Sequence, residues 1–129
     1  MSRFEHTSIF QSAYGLTLEI YKATKNFSKE HKYTLGERLK NITHEILDLV
    51  MKTNEAQGKD KLSGITLIDY KKEELRIHLR LAFDLKIISG GQLEIFNKKL
   101  EEIGKQIGGW RKWAEKQNCP SVPARVPAN

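Results

Sequence analysis

Apolar residues return every three or four positions along most of this chain, the repeat of a helix with one buried stripe. Leu16, Ile20, Ala23 and Phe27 follow a 4-3-4 spacing, which predicts a first helix over about residues 8–28, broken by the polar run SKEHKY. A second helix is expected from Thr34. There Thr34-Leu35-Gly36-Glu37 reads as a capping box, the hydroxyl accepting from the third amide and the carboxylate from the first. Leu35, Leu39, Ile42, Ile46 and Leu49 then line one face. AQGKDKLSG, residues 56–64, holds two glycines and no apolar repeat, so it reads as the central loop. A last helix is expected near Ser89, where Ser-Gly-Gly-Gln suits a cap. Leu93, Phe96, Leu100, Ile103, Ile107, Trp110 and Ala114 continue it at 3-4-3-4-3-4. From Asn118 the run NCPSVPARVPAN, with three prolines and no repeat, predicts a disordered tail.

The segment between, about residues 66–88, is ambiguous. Its centre, LRIHLRLAF, alternates like a strand, but its flanks are helical and no other stretch offers a strand partner. Helix is therefore the reading. On a helical projection it carries two apolar stripes: Tyr70, Ile77, Leu81, Leu85 and Ile88 form one, and Ile68, Leu75, Leu79, Ala82 and Phe83 the other. One stripe suffices for a bundle, so a second predicts contact with another chain. Leu75, Ile77, Leu79, Leu81 and Phe83, with Trp110, are the candidate interface residues. The expected fold is all-α: an antiparallel up-down four-helix bundle over residues 1–117, followed by the tail.

Charge and chemistry add less. The chain has 129 residues, enough for one domain with a real core, and a formal net charge of +6. Positive charge is concentrated: residues 22–40 hold six Lys or Arg against two Glu, and residues 98–116 hold six against three. That favours an anionic partner such as nucleic acid. No run approaches the ~18 apolar residues of a membrane span, and the start of the chain has no signal-like apolar core, so a cytoplasmic location is expected. No phosphate-cradling, nucleophile-elbow or metal-ligand spacing occurs, so neither catalysis nor a cofactor or metal is expected. Cys119, in the polar tail, reads as incidental. His78 would line an interface or bond a neighbouring carbonyl. Gly104 and Gly108 would permit tight packing beside Trp110. Arg76 and Arg80, four apart, project from one face. They would either pair with Glu73 and Asp84 or grip phosphate with their guanidinium forks. The other candidate nucleic-acid contacts are Lys22, Lys25, Lys29, Lys32, Arg38, Lys105, Arg111 and Lys112, in the blander view a solvated face.

Three stretches together, LEIYKATKNFSKEHKYTLGERLKNITHEIL, LRIHLRLAFDLKIIS and LEEIGKQIGGWRKW, resemble a four-helix-bundle family. It unites proteins encoded in intervening sequences of 23S ribosomal RNA genes with the accessory variability determinant (Avd) proteins of diversity-generating retroelements. The resemblance spans about residues 10–116. It implies a homopentameric barrel with a basic surface that binds RNA and DNA. In the retroelement group it implies a non-catalytic partner of the reverse transcriptase and its template RNA, supporting mutagenic cDNA synthesis. Arg76 and Arg80 match the family pattern, which raises their weight as contacts. The alternatives are an rRNA-insertion protein and a purely structural, protein-binding oligomer.

Overall fold

The computed structural model describes residues 7–118, which contain five α-helices and no strand. The expected Pro-containing tail and Cys119 lie outside the described residues. The helices are α1 (Ser8–Lys25), the single turn α2 (Lys29–Lys32), α3 (Leu35–Glu55), α4 (Gly58–Asp84) and α5 (Gly90–Asn118). The four long helices run alternately up and down. Neighbours pack in the ring α1–α3–α4–α5–α1, which places α1 diagonally from α4.

The core follows most of the stripes read from the periodicity, with Val50 and Ile65 added to them and Phe83 left exposed. Leu16 and Ile20 of α1, Leu39, Ile42, Ile46 and Val50 of α3, Ile65, Ile68, Leu75 and Leu79 of α4, and Ile103 of α5 are sealed from solvent. LRIHLRLAF is helical throughout.

Three boundaries differ from expectation. The segment 56–64 is no loop: Ala56 and Gln57 alone separate α3 from α4, and the helix opens at Gly58 with φ +61°, a conformation glycine adopts freely. Tertiary contacts hold this first stretch. Lys61 Nζ donates to the Asn54 carbonyl at 3.2 Å and lies over the rings of Trp110 and Trp113 at 5.8 and 5.5 Å. Gly64 lies where α4 crosses α3, and a Cβ there would come within 2.9 Å of the Thr53 Cβ.

At its other end α4 stops at Asp84 instead of 88. Lys86 takes the left-handed conformation (φ 63°), the Ile87 amide donates to the Ala82 carbonyl and the Lys86 amide to that of Phe83. This is a Schellman stop, with lysine in the usual glycine position. The reversal carries Ile88 off the outer stripe and into the core, where it is 5% exposed.

The capping box at Thr34 does not form either. The Thr34 hydroxyl donates to the carbonyls of Glu30 and His31, closing α2, and Glu37 pairs with Lys40 at 3.1 Å. A reciprocal box caps α5 instead: the Gln92 amide donates to Ser89 Oγ and the Ser89 amide to Gln92 Oε1.

Candidate nucleic-acid interface

The two faces of α4 separate cleanly. Leu75 and Leu79 are wholly buried in the chain's own core, so neither can meet a second chain. They lie on the stripe opposite Ile77 and Leu81, and it is their stripe that the bundle turns inward. Ile77, Leu81 and Phe83 remain exposed. Leu67, Tyr70, Ile77 and Leu81 recur at heptad-like intervals along the outside of α4 and are 44–67% exposed. Trp110 is half-buried against the core beneath Lys61. His78 Nδ1 lies 2.8 Å from the Glu74 carbonyl, the local contact expected of it. Gly104 is crossed by the Lys72 side chain, whereas Gly108 has nothing near it. The expected close packing beside Trp110 is therefore absent at Gly108.

The cations fall into four groups. On α4, Arg76 contacts Glu73 Oε1 through Nε (2.9 Å) and Nη2 (2.8 Å), and Arg80 Nε contacts Asp84 at 3.1 Å, the pairings read from the spacing. The hydrogen bond from Arg76 holds the Glu73 carboxyl below its ordinary value, despite some burial. Between α3 and α4, Arg38 binds Glu74 at 2.7 Å, while Lys71 reaches Glu74 (3.1 Å) and Glu45 (2.9 Å). Burial pushes Glu74 up, but Lys71 and Arg38 outweigh it and the carboxyl is lowered. Lys71 is raised, first by its hydrogen bond to Glu45. Arg38 is thus occupied in an ion-pair network. At the far end of α5, Arg111 donates to Thr66 at 3.1 Å and Lys112 is exposed.

The fourth group stands at the corner where α1, α2 and α3 meet. Lys22 pairs with Glu19 at 3.4 Å. Lys25, Lys29 and Lys32 form no ion pair among the described residues. An open hollow of about 460 Å³ here is lined by Lys22, Lys25, Lys32, Lys40, Tyr21, Tyr33 and Thr24, with no carboxylate. A larger groove of about 810 Å³ between α4 and α5 has mixed charge: Lys72, Arg76, Lys98 and Lys105 face Glu73, Glu94 and Glu101. Lys72 lies in this groove between Asp69 and Glu73; burial lowers its pKa, but the two carboxylates prevail and raise it.

The candidate cations therefore do not form one surface, since the α1 corner and α4 are diagonal to each other. Periodicity could not expose the contribution of Lys40, Tyr21 and Tyr33, because they join Lys22, Lys25 and Lys32 only through the packing of α1, α2 and α3.

No helix among the described residues is long and apolar enough to cross a membrane, and none of their His, Cys, Asp and Glu side chains gather in groups of three that could hold a metal ion. No curated protein matches the chain. The pattern of the bAvd-like family matches residues 8–114, from the first turn of α1 to the last buried residue of α5. A match over that much of a single helical bundle shows that the chain belongs to the bAvd-like family.

Proposed function

We propose that this protein is a non-catalytic accessory of a diversity-generating retroelement, binding the template RNA or its DNA copy and the reverse transcriptase to support mutagenic cDNA synthesis. Membership of the bAvd-like family over residues 8–114 carries this reading. The unpaired lysines at the α1–α2 corner support it, since cations without partners release counterions from a polyanion at least internal cost. Arg76 and Arg80 are compatible with it: their exposed intrahelical pairs are worth only ~0.2–0.5 kcal/mol each, so phosphate competes readily. In the proposed assembly, a homopentamer, Ile77, Leu81 and Phe83 meet a neighbouring copy and the basic surfaces of several copies act together.

The test is fluorescence anisotropy of labelled RNA and DNA against salt, with co-purification of the reverse transcriptase. Affinity should fall steeply as salt rises. Arg76→Ala with Arg80→Ala should keep the helical spectrum and reduce the slope of log K against log salt by up to about 1.4 on single strands, if each guanidinium neutralises one phosphate. A flat salt response, or absence of binding, would instead identify a protein-only module.

A further inference from the structure

The hollow at the α1–α2–α3 corner combines two features that phosphate neutralisation alone does not require. Four lysines line it, of which Lys25 and Lys32 have no ion pair while Lys22 and Lys40 reach Glu19 and Glu37 outside its wall, and two tyrosines stand among them. The tyrosines are not equivalent. Tyr21 is committed: its hydroxyl lies 2.7 Å from His44 Nε2 and Lys40 Nζ lies 5.2 Å from its ring centre. Tyr33 is uncommitted. It is 66% exposed, and its hydroxyl has no hydrogen-bond partner among the described residues.

The backbone at Tyr33 is nevertheless held in place. It ends α2 with its amide bonded to the His31 carbonyl, and the next residue, Thr34, ties its hydroxyl to the carbonyls of Glu30 and His31. The turn is clamped from both sides, which fixes where the Tyr33 side chain leaves the backbone, and its open ring stands beside Lys25 and Lys32.

Resting on the reading above, we infer that this corner seats an unpaired nucleotide of single-stranded RNA or DNA, with its base stacked on Tyr33 and its flanking phosphates on Lys25 and Lys32. An aromatic platform among lysines is how proteins hold single strands without reading sequence, because every base has a π face. A duplex keeps its bases stacked internally and can offer the corner only phosphates. The same chemistry separates this site from the α4–α5 groove, whose cations face three carboxylates and which has no tyrosine on its wall. The bland account, lysines kept in solution for solubility, leaves a clamped and exposed Tyr33 without a role.

The experiment measures binding of a fluorescein-labelled 12-nucleotide RNA of mixed sequence, the blunt duplex of the same sequence, and heparin. The full-length wild type is compared with Tyr33→Ala, Tyr33→Phe, and Lys25→Ala with Lys32→Ala. Tyr33→Ala should weaken single-strand binding about 5- to 100-fold. Duplex and heparin binding should stay at the wild-type level. Tyr33→Phe, which keeps the ring, should bind as the wild type does. The double lysine variant should lower the single-strand salt slope by about 1.4. Circular dichroism is expected to match the wild type for all three variants, because every altered side chain lies at the surface. If Tyr33→Ala binds the single strand like the wild type, or loses duplex and heparin equally, the stacking site is refuted while nucleic-acid binding stands. If the wild type binds neither RNA nor DNA, the functional reading falls together with this one.

Discussion

Leu79 and Leu81 provide the sharpest test of how α4 is built. They sit two positions apart in LRIHLRLAF. On a strand they would share a face; on a helix they point about 200° apart. Leu79 is 0% exposed and Leu81 is 44% exposed. Leu79→Ala removes fully buried carbons and leaves a cavity that the surrounding Ile and Leu side chains fill only in part, a loss of about 3 kcal/mol. Leu81→Ala in a single protomer removes carbons that are only about half shielded and encloses no void, a loss of about 1 kcal/mol. For a chain of this size, 1 kcal/mol moves Tm by about 4 °C, so the expected drops are about 12 °C and about 4 °C. Thermal and urea unfolding, followed by circular dichroism at low micromolar protein, reads both. Equal losses at a concentration where light scattering shows the monomer would refute the two-faced helix. Contact between copies adds a second signature. If Leu81 meets a neighbour, its alanine penalty grows with protein concentration, and Leu81→Asp lowers the mass seen by light scattering without loss of helicity. An Asp variant of unchanged mass would remove Leu81 from the interface.

Two other outcomes follow from the same packing. Gly64→Ala should destabilise by about 1 kcal/mol net, because a methyl group driven against the buried Thr53 costs more than the improved helix propensity returns. Gly108→Ala, with open space around it, should stabilise by up to about 1 kcal/mol; chemical denaturation midpoints moving the same way in both variants would contradict this. Acid should weaken the fold through Glu73 and Glu74. Their carboxyls are held below the ordinary 4.5, so the unfolded chain takes up protons first. The stability they contribute is present above that value and is lost as pH falls through the lowered folded values. Replacing both with Gln should flatten the urea-midpoint profile between pH 5 and 3 by less than ~1 kcal/mol, as suits partly exposed pairs; a profile as steep as the wild type would exclude them.

Among the candidate contacts, the α4 arginines were the more conspicuous in sequence, yet each already has a carboxylate beside it. At the corner Lys25, Lys29 and Lys32 form no ion pair among the described residues, whereas Lys22 and Lys40 do. Spacing revealed the i,i+3 and i,i+4 pairings of Arg76 and Arg80, because those contacts are local to one helix. It could not reveal that Arg38 is tied to Glu74, thirty-six positions away, or that Lys40 stands over Tyr21. Such partners are chosen by the crossing of two helices.

Periodicity determined the four long helices and the core stripes of α1, α3 and α5, because a helix that buries one side must repeat its apolar residues at 3.6; residue types gave the Ser89 cap, and helical flanks with no available strand partner gave the helical state of LRIHLRLAF. Family resemblance was equally readable from the chain. Tertiary structure decided the rest. It made residues 58–64 helical by seating Lys61 on two tryptophans, spent the Thr34 hydroxyl on α2 rather than on α3, and turned Leu75 and Leu79 inward while leaving Ile77 and Leu81 outside. It also gathered Tyr33, Lys25, Lys32 and Lys40 around one hollow. Apart from the Thr34 hydroxyl, whose partners lie three and four residues back, the outcome turned on a contact between residues of different helices, whose energy is absent from any single helix and arises only when the bundle closes.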